Sequence, residues 1–387
     1  MINYFIYLFL LIIYFPFIPA IVPSSDTQPT LTIVYILFLC TIVLFSRRWY
    51  IYKIEKKCIF VFLTICIFVS IISLIINKFI YGREIFWTRV YSFVQFIIAI
   101  IISSRIKDNI SKRQIFIIFS VYVIFTLIFL LSNGYLEKIL IYSRVNFIIG
   151  SGRGVSTLSP EPSFFAIQIF NILLISYFIV GWKEDVKFHN INLSLAAVCF
   201  ISSLSGYGLI FLMILLLIRF PKIFLFMMLI LFIFISNFYE FIESVSYTRA
   251  GSLILNFFNN NFDSLLEADA SFYSRYTSFM IYLESIYSNI LLGEGYSIFE
   301  GGGFISVISA FGFIYIIFFS LILLKILTLH GVHYKIRLLL LVWLAMNILS
   351  GPIGIPTVGF IIGLILFRKE NSIELTSSKN FKIKEIV

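Results

Sequence analysis

The sequence predicts an all-α polytopic membrane protein of about twelve transmembrane helices. Three observations carry this. Apolar residues fill 60% of the 387 positions. Charged residues fill only 12%, about half the ~25% usual in soluble domains. The apolar residues also fall in long runs, several near the ~20 residues that a helix needs to cross a hydrocarbon core of ~30 Å. Mean hydropathy is +1.04. These figures exclude a soluble globular protein, a disordered chain and a nucleic-acid-binding domain, so no nucleic acid is expected as a partner. They also argue against a transmembrane β-barrel, whose strands alternate instead of running apolar.

Charge clusters and Gly/Pro breaks divide the chain 1–387, read as one integral membrane domain, into candidate spans. The first, 2–22, is too long for a signal peptide and lacks a basic leader, so it is read as an uncleaved span. Next come 31–46, closed by Arg47 and Arg48, and 58–76, opened by Lys53, Lys56 and Lys57. Spans 85–102 and 114–131 are separated by a basic loop holding Arg105, Lys107, Lys112 and Arg113. Span 162–181 opens on Pro162. Spans 190–202 and 206–218 are divided by Ser202-Ser203-Leu204-Ser205-Gly206-Tyr207-Gly208, where glycine flexibility and serine's competing hydrogen bonds favour a break. A single helix over 190–218 would invert everything downstream. The remaining spans are 223–239, 303–324, 338–350 and 354–367.

Orientation follows from the basic residues, which gather in cytoplasmic loops. With the N-terminus inside, all but eight of the 29 Lys and Arg fall on the cytoplasmic side. The eight are Lys78, Arg83, Arg89, Lys138, Arg144, Arg153, Arg249 and Arg275. The net charge of +10 therefore reports topology first. Both termini are expected in the cytoplasm, with 368–387 as a cytoplasmic tail. The two long external segments are 132–161 and 240–302. The four cysteines, Cys40, Cys58, Cys66 and Cys199, lie in or beside apolar runs and suggest no loop disulfide.

The candidate chemistry lies outside. Six of the eight external basic residues are arginines, whose planar fork matches phosphate oxygens. They either hold a lipid pyrophosphate or pair with external carboxylates. The densest motif is the stretch 150–166, GSGRGVSTLSPEPSFFA. Ser159 or Ser163 can cap the following helix, and Pro162 suits its first turn. An outward helix N-terminus beside Arg153 favours an anion. Glu161 either stabilises that helix end or acts as an acid that orients a sugar hydroxyl, positions Arg153 or accepts a proton. Ser205 and Tyr207 either form a tight hairpin or bind sugar or phosphate. Gly293-Glu294-Gly295-Tyr296 brings Glu294 to the outer side, and Arg89, expected inside a span, needs a partner, an aqueous face or a snorkelling path. The histidines His189, His330 and His333 all fall on the cytoplasmic side, and no cluster has metal-ligand spacing, so no metal and no cofactor are expected.

The Arg153-Gly154…Glu161-Pro162-Ser163-Phe164-Phe165-Ala166 stretch, the Ser203-x-Ser205-Gly206-x-Gly208 break, the arginine-bearing external loop and Gly293-x-Gly295-Tyr296 together resemble the O-antigen polymerase (Wzy-type) and O-antigen ligase superfamily, over roughly residues 140–310. The resemblance implies a glycosyltransferase C-type architecture acting on undecaprenyl-pyrophosphate-linked glycans at the periplasmic face of a bacterial inner membrane, without metal or nucleotide sugar. Ligases of this group carry an important loop histidine. None lies between 240 and 302 here, which favours polymerase. By this resemblance Arg153, Arg275 and Glu161 are catalytic candidates. Arg249, Arg89, Ser205, Tyr207 and Glu294 are substrate-binding candidates. Donor and acceptor glycolipids, membrane lipids, a flippase and a chain-length regulator are the implied partners. A flippase or other transporter is the competing class, but the paired internal repeats common in transporters are not evident.

Overall fold

A computed structural model describes residues 10, 13–15, 54–106, 110–132, 154–155, 157, 159, 162–182, 185–233, 270–297, 303–329, 332–349 and 356–368. All regular structure among these residues is helical. The helices are α1 (Ile54–Ile75, continued by a π turn Ile76–Ile80), α2 (Trp87–Ile106), α3 (Lys112–Leu131), α4 (Pro162–Val180), α5 (Val186–Ser203) and α6 (Gly206–Arg219). They continue as α7 (Pro221–Ile233), α8 (Ala270–Ser288), α9 (Phe304–Phe311), α10 (Phe313–Leu327), α11 (Tyr334–Leu349) and α12 (Pro356–Leu366). Three segments are long and apolar enough to cross a membrane: Lys57–Ile80, Lys112–Leu131 and Pro162–Val180.

Local chemistry sets many of the ends. Ser111 and Gln114 cap α3 reciprocally, each side chain bonding the other's backbone N–H. The Asp185 carboxylate accepts from the Phe188 amide at 3.0 Å and starts α5. Leu204 turns left-handed at φ 42° to end α5, and the Ser205 hydroxyl accepts from the Gly208 amide at 3.0 Å to start α6. The expected break between 202 and 206 is therefore present. Arg219, at the end of α6, donates to Asn190 near the start of α5 at 2.9 Å, so the two helices run antiparallel.

The helix α4 is the hub. Fourteen of its 19 residues are buried, and α3, α5, α6, α11 and α12 pack around it. An apolar helix buried on every side needs its polar groups paired internally. Gln168 donates to the carbonyls of Ile13 and Tyr14 at 3.0 and 3.1 Å. Asn171 accepts from Trp343 Nε1 on α11 at 2.7 Å. The helix α12 packs along α2 and also touches α4, joining the two sides of the bundle.

One expectation needs correction. Residues 303–324 do not form one span. Gly312, at φ +73°, ends α9, and a Cβ there would lie 2.5 Å from the Leu291 carbonyl oxygen. Beyond it the chain folds back, stacking Phe304 on Phe319 with ring centres 4.4 Å apart. Within the long segment 240–302, residues 270–288 form the helix α8, whose Ser285 hydroxyl lies 2.6 Å from that of Ser309 on α9. Among the described residues of 354–367, α12 has 11 residues, about 16 Å of helix. Spans 2–22 and 31–46 fall almost wholly outside the described residues.

Candidate functional site

The bundle has two chemically different ends. Lys112 pairs with Asp185 at 3.1 Å, and Arg219 and Lys335 lie at the same end. Phe60, early in α1, packs on Phe367 just past α12, and Arg368 sits 4.7 Å from the Phe178 ring late in α4. The ends of α1, α3 and α5 and the start of α4 therefore share the opposite end. Of the sequence-derived site residues, Ser205, Tyr207, Glu294 and Arg89 lie there.

The first group is held by α3, α4, α5 and α6. The Val155 amide donates to the Ser202 carbonyl at 2.9 Å. Gly154 rests on the backbone of the α5–α6 break, where a Cβ would lie 2.1 Å from the Ser203 carbonyl carbon and oxygen. Thr157, left-handed at φ 50° and fully buried, bonds Thr126 of α3 at 3.1 Å. The segment following Arg153 is thus pinned to the serine-glycine break, bringing together two motifs that are far apart in the chain. Ser205 uses its hydroxyl on Gly208 and lies 3.0 Å from the Ser203 hydroxyl. Tyr207, half-buried in the first turn of α6, packs its ring 5.9 Å from Phe211. Pro162 opens α4 as expected. Ser159 does not cap it; its hydroxyl is buried with no hydrogen-bond partner among the described residues.

The second group is held by α1, α2, α8 and α9. Glu294 Oε1 accepts from Asn289 Nδ2 at 3.1 Å and lies 3.7 Å from Arg83 Nη1. That same Arg83 nitrogen donates to Asn77 Oδ1 at 2.9 Å, and Asn77 Nδ2 donates to the Gly293 carbonyl at 3.1 Å. The amides of Glu294 and Gly295 donate to the carbonyls of Ser309 and Ala310, which seats the Gly-Glu-Gly-Tyr turn on α9. Arg89 lies in the first turn of α2, half-buried. Burial pushes the Tyr296 phenol well up, the nearby Tyr282 phenol adds to this, and the Arg89 charge acts against both. The Phe86 amide donates to the Tyr296 carbonyl at 3.2 Å, which holds the start of α2 against this turn.

Arg153, Glu161 and Arg249 lie outside the described residues. Arg275 lies on α8, three residues before the buried Ser278. Sequence reasoning missed the role of Arg83 as the partner of Glu294. It also missed Asn77 and Asn289, which carry no motif. Arg83's place among the few external basic residues was the only available signal.

No protein-family model matches the chain, and neither a curated protein nor a solved structure is significantly similar to it.

Proposed function

We propose that this chain is an O-antigen polymerase. It joins undecaprenyl-pyrophosphate-linked repeat units into a polysaccharide at the periplasmic face of a bacterial inner membrane, through a polytopic C-type glycosyltransferase scaffold of about twelve spans with both termini in the cytoplasm. One observation carries this reading most. The Gly154-Val155 segment docks on the Ser202–Ser205 break, at the bundle end that also bears Glu294, so three separate elements of the family resemblance share one end of the bundle.

In the reaction, a terminal hydroxyl oxygen of one lipid-linked unit bonds to the anomeric carbon of the growing chain. The bond from that carbon to the pyrophosphate oxygen breaks, and undecaprenyl pyrophosphate leaves with the electron pair. Negative charge grows on the leaving group, which is where arginine forks lower the barrier. Arg153 and Arg275 take that role. Glu161 or Glu294 accepts the proton of the attacking hydroxyl. Arg249, Arg89, Ser205 and Tyr207 hold the glycan, and Arg83 fixes Glu294.

Deleting the gene tests this. Lipid A–core should then carry at most one repeat unit, because ligation survives while polymerisation stops. Unsubstituted core would point instead to the ligase or flippase alternative and sink the proposal.

A further inference from the structure

We infer that Arg219, at the end of α6, and Lys335, near the start of α11, bind the phosphate of an anionic phospholipid. Trp182, only 6% exposed, holds two cations against one indole. The Arg219 guanidinium carbon lies 4.9 Å from the ring centre, and Lys335 Nζ lies 5.6 Å from it. Both cations are half-buried. Their other partners are neutral. Arg219 donates from Nε and Nη2 to Asn190 Oδ1 at 3.2 and 2.9 Å. Lys335 Nζ donates to the Ile218 carbonyl at 2.6 Å, bridging α11 to α6. No carboxylate pairs with either cation among the described residues, and Asp185 is taken by Lys112 and the Phe188 amide.

Two like charges held on one ring at reduced exposure, with no carboxylate paired to either among the described residues, favour an anion, and guanidinium and ammonium groups both suit a phosphate diester. The apolar surface beside Lys335 decides the source of the phosphate. Tyr334 and Leu338 on α11 are 61% and 44% exposed. A free phosphate has no use for that apolar surface, whereas a phospholipid lays its acyl chains on it. Basic pockets between membrane helices take anionic headgroups by this physics. The inference rests on the membrane-embedded reading above and not on the glycan reaction.

The test is thermal unfolding of the purified full-length chain in uncharged detergent, titrated with phosphatidylglycerol, phosphatidylcholine or inorganic phosphate. Phosphatidylglycerol should raise the melting temperature in a saturable way, and the other two should not. Each cation near a lipid surface is worth roughly fivefold in affinity, so Arg219→Gln with Lys335→Gln should weaken phosphatidylglycerol about 25-fold. Arg219→Lys should retain part of the effect. Equal stabilisation by phosphatidylcholine would overturn the inference. So would full protection by inorganic phosphate, or unchanged phosphatidylglycerol affinity in the double variant. The wild-type lipid comparison stands even where the double variant fails to fold. No glycan is present, so a negative result leaves the polymerase proposal to its own test.

Discussion

The Val155 amide donates to the Ser202 carbonyl at 2.9 Å, and beside it Gly154 meets the Ser203 backbone with no room for a side chain. This one junction ties the arginine-glycine segment to the turn between α5 and α6. It turns two weak sequence motifs into one structural feature.

Gly154→Ala should therefore be costly. A Cβ placed 2.1 Å from backbone atoms forces the two segments apart, and overpacking of this kind costs about 1–3 kcal/mol or more. Gly206→Ala is the control, because nothing lies within 4 Å of a Cβ there, and the change should be neutral or slightly stabilising. Melting temperatures of the two variants in detergent check this. Equal stability would mean that the junction is not rigid.

The basic asymmetry and the antiparallel α5–α6 pair predict orientation. Reporter fusions at position 270 should signal outside, and fusions at 220 and 380 inside. An inside signal at 270 would remove the proposed periplasmic site.

Acid should loosen the start of α5. The bond from the Phe188 amide, followed by Lys112, holds the Asp185 carboxyl below its usual range. A lowered folded value means that the stabilising contribution is present above the unfolded value of about 3.9 and is lost as pH falls through the folded one. Asp185→Asn keeps a side chain that tolerates the left-handed backbone but does not titrate. Unfolding of wild type and variant compared between pH 3 and pH 7 should converge at the acid end. A constant difference across that range would contradict the assignment.

Much of the helical layout was legible because it is written locally. Apolar runs ended by charge, Pro162 at a first turn and the serine-glycine break at 202–208 all act within a few residues, whereas the caps at Ser111 and Ser205 were not read. What was not legible depends on distant neighbours. Gly312 breaks a continuous apolar run because Ile290 and Leu291 crowd it, and nothing within 303–324 announces them. The helix α8 is stabilised through Ser285 and Ser309, a pairing that no periodicity encodes. The same holds at the candidate site. Glu294 stood out by its flanking glycines, but its partners Arg83 and Asn289 are found only when the chain folds. Arg153, Glu161 and Arg249 rest on the motif alone.

The arginines offer a functional series. Arg153→Ala and Arg275→Ala should abolish long chains at normal protein levels, with Arg249→Ala weaker. Arg→Lys should rescue only partly, since the charge returns without the fork. Loss of one charge-assisted contact costs about 1.5–3 kcal/mol, roughly 10–150-fold in rate if the contact tightens in the transition state. Glycan ladders on gels, paired with expression blots, read the result. Normal ladders from both alanine variants would leave these residues as ordinary surface ion-pair partners.

The most direct measurement gives the purified chain, in liposomes, a single undecaprenyl-pyrophosphate-linked repeat unit from its host. Glycan length and released undecaprenyl pyrophosphate are then followed together. The polymerase reading predicts multiples of the repeat unit, with one undecaprenyl pyrophosphate released for each linkage formed. Units that stay single, with no pyrophosphate lipid released, while crossing the bilayer would contradict it and identify a transporter.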